Sequence, residues 1–497
     1  MIVDNDLLSV QQARIMAENA YEAQKKLAAF PQEKLDEIVE QLAKAVEEHA
    51  QELALMSHEE TDSGKWKDKL IKNRFVCSQV CDHLRGMRCV GIIDEDHRKQ
   101  TVDIGVPVGV VVALCPRTSP VSTTVYNTII AIKSGNAVIF SPHPEAVKCI
   151  GRVLDIMIAA AEACGLPEGC LAYLETVAES GTLELMNHKS VSLVMVTGVP
   201  GMLQAARGTG KPVIYGGTGN GPAFIERSAD IEQAVKDIIV SKTFDNGIAP
   251  SAEQSIVADS CIAQDVRKAL QNHGGYFMSE SEARKLAALF FTSDGQRRKG
   301  VSGKSAEVLA RRAGFSIPES ATVLIAERKY VCEADPYYRE FLAPVLALYE
   351  EDDWMHACEK CIELLLHEKN AHSLVIHSRD KEVIRQFALK KPVGRLLVNT
   401  PATFGGMGVT TNLFPSMILG SASAGQGITS DNVSPMNLIY IRKVGYGVTQ
   451  MEGVGSVDKS LGLISNKNQE YDDSSTAEAI RLILKKAIEA IDDPADR

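Results

Sequence analysis

Three stretches of this chain carry residue types that do chemistry. The first is Phe244-Asp-Asn-Gly-Ile-Ala-Pro-Ser-Ala-Glu-Gln-Ser255, with a hydroxyl at Ser251 and a carboxylate at Glu253. A serine attacks a carbonyl only when a base takes its proton. Glu253 is close in sequence and no histidine is. The second is a pair of glycine-rich runs, Arg207-Gly-Thr-Gly-Lys-Pro212 and Gly216-Gly-Thr-Gly-Asn-Gly221. Glycine lets backbone N–H groups approach a phosphate closely. Neither run matches the dinucleotide fingerprint or the Walker lysine loop, so composition alone reads both as tight turns. The third is Cys358-Glu-Lys-Cys361, with His356 and His367 nearby. No second ligand pair stands at zinc spacing, so the expectation is no metal site but a helix over 354–365 with one cysteine facing in. Cys77 and Cys81, one helical turn apart, read the same way.

The elements that must position these groups follow an α/β pattern. Residues 8–57 read as two helices, with Leu35, Ile38, Val39, Leu42, Ala45 and Val46 at helical spacing. Extended segments at 90–93 and 101–104 flank a charged turn, Asp94–Arg98. Strands are expected at 108–114, 137–140, 171–174, 193–196 and 213–214, alternating with helices near 121–133, 145–163 and 200–207. Such alternation predicts parallel sheet covered on both faces. A helix from about 230 leads into Phe244, and a second alternation runs to about 400, including a strand at 374–376. The glycine-rich segment 396–450 contains a returning strand at 438–441.

The chain has 497 residues and a formal charge of -11, enough for two or three cores and a poor match to nucleic acid or an anionic membrane. The longest apolar run, about 104–115, is too short to span a bilayer, and the acidic start at Asp4 and Asp6 does not read as a secretory signal. Eleven irregularly spaced cysteines read as reduced thiols of a cytoplasmic protein.

The Phe244 segment resembles the active-site segment of CoA-acylating aldehyde dehydrogenases, roughly Phe-Asp-Asn-Gly-x-x-Cys-x-x-Glu-Gln-Ser. Phe244, Asp245, Asn246, Gly247, Glu253, Gln254 and Ser255 match, but the cysteine position holds Pro250. Ser141-Pro-His-Pro144, Thr197-Gly198, Gly217–Gly221 and Leu397-Val-Asn-Thr-Pro401 follow in the family's order, and the similarity covers about 5–448. The resemblance implies an aldehyde dehydrogenase fold: a variant Rossmann NAD-binding domain at 1–238 with an oligomerisation hairpin at 89–106, and a catalytic domain at 239–410. Residues 411–448 would return to the cofactor region. It implies NAD (NADP as the alternative), CoA as co-substrate, a small aldehyde, and a homo-oligomer, dimer or tetramer. Ser141, His143 and Pro144 would lie by the adenosine, Thr197 and Gly198 by the phosphates or ribose, and Gly217 and Gly219 by the nicotinamide.

In this family a cysteine thiolate attacks the aldehyde, the adduct gives hydride to NAD, and CoA takes the acyl group. The oxyanion is held by the cysteine's own N–H and by an asparagine amide. Pro250 removes the sulfur and, having no N–H, the backbone donor. The asparagine position falls on Ser119, in Pro116-Arg-Thr-Ser-Pro120. Ser251, Cys115 and Cys261 are the substitutes to weigh. The resemblance thus implies an oxidoreductase with impaired catalysis, or a non-catalytic scaffold that keeps the fold.

Residues 449–474 are polar and read as a flexible linker. In 475–491 a capping box at Ser475–Glu478 precedes Ile480, Ile483, Leu484, Ala487, Ile488 and Ile491 at helical spacing. A tethered amphipathic helix suits docking in a groove, and this one resembles the encapsulation peptides of bacterial microcompartment cargo. Phe404–Gly408 and Gly420–Gly427 look most like the type from glycyl-radical microcompartments.

Overall fold

The computed structural model describes residues 4–368, 372–421 and 423–448, with only 450–451, 464–465, 481–482 and 485 beyond. The expected linker and amphipathic helix therefore lie almost wholly outside the described residues. By internal packing the chain divides into a large unit, Met1–Ile93 with Gly105–Ile441, and a small one, Asp94–Ile104 with Arg442–Arg497.

The large unit holds two parallel sheets. The first has five strands in the order Leu171–Tyr173, Ala137–Ser141, Val110–Leu114, Val191–Thr197, Val213–Gly216. Its central strands are buried along their whole length, which is why they read as continuous apolar runs rather than as alternation. Helix Pro120–Lys133 is buried on every side. Proline at its first position needs no N–H partner and presets the helical φ.

The N-terminal region folds as three helices, Asn5–Leu27, Gln32–Glu48 and Ala50–Thr61, where periodicity predicted two. The apolar stripe of the second is buried as expected, and the break comes at His49, a residue that pattern alone does not mark. Asp4 starts the first helix by accepting from the N–H groups of Asp6 and Leu7.

The second sheet has seven strands, in the order Gly275–Phe277, Val323–Glu327, Val345–Glu351, Ser255–Asp259, Pro222–Ile225, Ser373–His377, Arg395–Val398. Every adjacent pair is parallel. The chain changes sheet between Gly216 and Pro222, well ahead of the expected domain boundary at 238. The strand responsible, Pro222–Ile225, is too short to announce itself beside the glycine-rich run.

A third sheet joins Gly91–Asp96, Thr101–Pro107 and Ile439–Gly445. The turn is tighter than expected, because Asp94 and Glu95 stay in the strand and Asp96 accepts from the N–H groups of Arg98 and Lys99. The helix Trp354–Glu368 corrects one expectation: Cys358 and Cys361 are both buried. Residues three apart share a helical face, so a single inward cysteine was the wrong geometry. Among the described residues no helix is long and apolar enough to cross a membrane, and no acid, histidine and cysteine group is placed to hold a metal ion.

Candidate active site

The Phe244 segment begins where helix Ile231–Thr243 stops. Asp245, Asn246 and Gly247 take φ of 49°, 54° and 69° in succession. Left-handed backbone is uncommon outside glycine and persists where surroundings hold it. Here the Asp245 N–H donates to Asp68 at 2.7 Å. Its carboxylate accepts from the Lys65 N–H at 2.6 Å, Lys72 Nζ at 2.5 Å and Lys69 Nζ at 3.3 Å. Asn246 Nδ2 donates to the Gly303 carbonyl at 2.9 Å.

The reversed backbone carries Ala249, Pro250 and Ser251 to the wall of a cleft with about 580 Å³ of empty space, part of it open to solvent. Ser119, Lys72, Thr197, Gly198, Gly217 and His372 line it too. The structure thus gathers most of the sequence-predicted site around one space, and no cysteine lies on its wall.

Lys72 was missed by sequence reasoning. Its Nζ donates to Ser119 Oγ at 2.6 Å as well as to Asp245. With Lys72 as donor, the Ser119 O–H is free to donate in turn. Burial works to raise the Asp245 carboxyl, but Lys72 and Lys69 outweigh it and hold it below its ordinary value. Burial pushes the Lys69 ammonium down to about 8 against that pairing. The signal was Lys69 and Lys72 at i and i+3 on one helix, Trp66–Phe75, but nothing local says that Asp245 lies opposite.

His372 was missed for the same reason. It precedes strand Ser373–His377, and is 1 % exposed. Its Nδ1 meets Ser373 Oγ at 2.8 Å; Nε2 makes no hydrogen bond of good geometry. Burial, helped by the charge of Arg395, pushes the imidazole down to about 3, while the Pro250 carbonyl beside the ring works to raise it. Gly219 sits between: a Cβ there would fall 1.6 Å from the Pro250 carbonyl oxygen and 2.5 Å from His372 Nε2. The Gly219 N–H donates to Glu340 at 2.8 Å, and Asn220 Nδ2 donates to the carbonyls of Tyr338 and Leu364 at 2.7 and 2.9 Å.

The substitutes for the missing thiol fare poorly. Glu253 does not line the cleft; its carboxylate accepts from the Ala402 N–H at 2.8 Å, and burial raises it to about 7. Burial pushes the Cys115 thiol up to about 12, and it faces a different cleft. Cys261 is exposed on the turn Ser260–Ile262. Ser251 does share the wall with His372, but an imidazole that holds its proton only near pH 3 is a weak base.

The second cleft, about 760 Å³ of partly open space, is lined by Cys115, Ser141, His143, Pro144, Thr182 and Val199 among others. Both clefts open at the carboxyl ends of Val110–Leu114 and Val191–Thr197, since the turn Thr197-Gly198-Val199 contributes to each. These two strands are neighbours although two strands and three helical crossovers separate them in sequence. That is the switch point of an open α/β sheet, where ligands bind. The residues fit a dinucleotide. Gly198 has φ 61°, and a Cβ there would sit 2.9 Å from Pro116. Thr197 Oγ1 is buried with no partner, so the site offers an unused polar atom. Ser141 and Thr182 hydroxyls share a 2.8 Å hydrogen bond, and burial lowers the His143 imidazole.

Comparison with known proteins places the chain in a family. The aldehyde dehydrogenase family model matches residues 2–275. The bifunctional aldehyde-alcohol dehydrogenase AdhE of Escherichia coli (strain K12) is 35% identical over 441 residues, 88% of this chain and 49% of that protein. The acetylating succinate-semialdehyde dehydrogenase of Clostridium kluyveri is 32% identical over 87% of this chain and 95% of its own length. Among solved structures, a probable aldehyde dehydrogenase from Listeria monocytogenes EGD-e has a TM-score of 0.88 at 44% identity, covering 90% of this chain and 99% of that one. An acetylating aldehyde dehydrogenase from Geobacillus thermoglucosidasius has 0.87 at 38%, covering 91% and 100%. The chain belongs to the aldehyde dehydrogenase family, on its CoA-acylating branch. It spans about half the length of the bifunctional relatives it matches.

Proposed function

We propose that this chain keeps the cofactor and ligand clefts of an acylating aldehyde dehydrogenase but has lost covalent acyl transfer. The observation that carries this is Pro250 on the cleft wall, where no thiol lines the space. A relative from Rhodopseudomonas palustris, 26% identical with a TM-score of 0.78, has been solved with CoA and an acylated cysteine. A propionaldehyde dehydrogenase from the same organism holds propionyl-CoA, and an engineered glycolyl-CoA reductase holds NADP+.

NAD bound along the two clefts, with Ser141, His143 and Pro144 at one end and Thr197, Gly198, Gly217 and Gly219 at the other, would supply hydride acceptance. The chain's own residues then do the rest. Ser119, with its oxygen engaged by Lys72, presents a hydroxyl donor toward a carbonyl oxygen. His372 is neutral, so its Nε2 can pair with a polar ligand atom without adding charge. What is missing is a nucleophile: Ser251 has no effective base, and Pro250 supplies neither sulfur nor N–H.

The chain is therefore read as a fold-retaining member of a microcompartment assembly. Support comes from the encapsulation-type pattern at 475–491 and from likeness to a propionaldehyde dehydrogenase of a fucose utilisation bacterial microcompartment of Clostridium phytofermentans, 27% identical with a TM-score of 0.78. Partners would be shell or other cargo through 475–491, and further copies of the chain. The active-enzyme reading, NAD-dependent conversion of a small aldehyde such as acetaldehyde and CoA to acyl-CoA, has one observation in its favour: Lys72 supports Ser119 where an asparagine would be expected. Mass spectrometry of the full chain after incubation with acetyl-CoA separates the two. An unmodified protein is expected; acetyl on Ser251 or Ser119 would overturn the reading.

A further inference from the structure

Cys358 is 5 % exposed and Cys361 fully buried on the helix Trp354–Glu368. Lys391, just past the helix Lys381–Lys390, is 8 % exposed and turns its ammonium onto the first of them. Its Nζ donates to the Cys358 carbonyl at 2.7 Å and lies 2.6 Å from Cys358 Sγ. The ring of Phe387, 4.1 Å from Nζ, covers it further. None of these partners is a carboxylate. Among the described residues no carboxylate pairs with this ammonium, and a buried ammonium without an opposing charge is costly. The N···S separation is well inside ordinary contact for these atoms. The amine therefore sits within reach of a bond to sulfur with no movement of either backbone.

We infer that Cys358 and Lys391 form a site of oxidative cross-linking. One equivalent of a peroxide oxidises the thiol to a sulfenic acid and leaves as water. The Lys391 ammonium first gives up one proton to solvent; the lone pair of the neutral amine then attacks the sulfur and the S–OH bond breaks. The hydroxyl departs with a proton from the amine as a second water, leaving an S–N bond. A second equivalent of peroxide inserts one oxygen between sulfur and nitrogen and releases a third water. Cys361 is the rival for the sulfenic acid, one turn away. Burial pushes its thiol up to about 12, so it offers little thiolate. Lys391 is the better-placed partner.

The bond would join the helix Trp354–Glu368 to the segment that enters strand Arg395–Val398. The same helix braces the glycine-rich turn, through Asn220 on the Leu364 carbonyl. The inference is independent of the acyl-transfer reading.

The test treats the full chain with hydrogen peroxide, denatures it without reductant, digests it and identifies cross-linked peptides by mass. The expected product joins the Cys358 and Lys391 peptides, lighter than their sum by two hydrogens, with or without one added oxygen, and is released by a thiol reductant. It persists in Cys361→Ser and disappears in Cys358→Ser and in Lys391→Arg, which keeps the charge and the stem packing. Unfolding midpoints of each variant confirm that the fold is retained. Exposed Cys261 and Cys332 report that the oxidant acted. A Cys358–Cys361 disulfide, a sulfinic acid at Cys358 beside an unmodified Lys391, or an untouched Cys358 once Cys261 and Cys332 are oxidised would each overturn the inference.

Discussion

At the residue scale the site is defined by what Pro250 and Ser119 lack and by what Lys72 adds. If the Lys72 ammonium already holds Ser119 as a donor, the two departures from the family pattern are unequal. In a Pro250→Cys background, Ser119→Asn should change NADH formation from acetaldehyde and CoA by less than about tenfold, short of the roughly 10²–10³ expected for a missing oxyanion donor. A larger gain would show that Ser119 does not donate. Glu253 gives a pH signature. Its folded value, about 7, lies above the ordinary 4.5, so the folded state binds the extra proton between them. Its contribution is fully present below about 4.5 and lost as pH rises through about 7. Glu253→Gln should flatten that part of the stability–pH curve in urea titrations; parallel curves for wild type and variant would contradict it. Pro250, Ser119 and the glycines were readable in the sequence because each sits inside a recognisable local run. Lys72, His372 and Glu340 were not, because their partners lie far off in sequence: Ser119 is 47 and Asp245 173 residues from Lys72, and Gly219 is 121 from Glu340.

At the scale of elements, the strand order explains why one space collects these residues. Val110–Leu114 and Val191–Thr197 are neighbours in the sheet, so Ser119 and Thr197 follow adjacent strand ends. Pro222–Ile225 and Ser373–His377 are also neighbours, which brings Gly219 to His372. Gly219 is the tightest joint between them. Gly219→Ala should destabilise the fold by about 1–3 kcal/mol, as overpacking against backbone does, and weaken NAD binding at least tenfold by calorimetry. An alanine variant with unchanged stability and binding would mean that the Gly217–Gly221 turn is not set by this contact. The alternation of strands and helices was plain in the sequence. The extra helix start at Ala50 and the short strand at Pro222 were not, since neither carries a cap or length signal, and the paired cysteines of Trp354–Glu368 were misread by treating i and i+3 as opposite faces.

At the scale of the molecule, two assembly features belong to the proposal. Ile92, Tyr440 and Ile441 stand 56, 49 and 44 % exposed on strands of the three-stranded sheet, apolar area of the kind that subunit contacts cover. Light scattering should find a dimer or tetramer, and charged residues at Ile92 and Ile441 should shift it toward monomer. Truncation after Val448 should leave the thermal midpoint unchanged while abolishing co-purification with microcompartment shell proteins; undiminished association would remove the targeting role of 475–491. The central claim, that binding survives and covalent chemistry does not, rests most directly on NADH formation from acetaldehyde, NAD and CoA by the unmodified full chain beside its Pro250→Cys variant. The account predicts background turnover for the former, with NAD binding intact by calorimetry, and a gain of at least about 10²-fold for the latter. Robust, CoA-dependent turnover by the unmodified chain would contradict it.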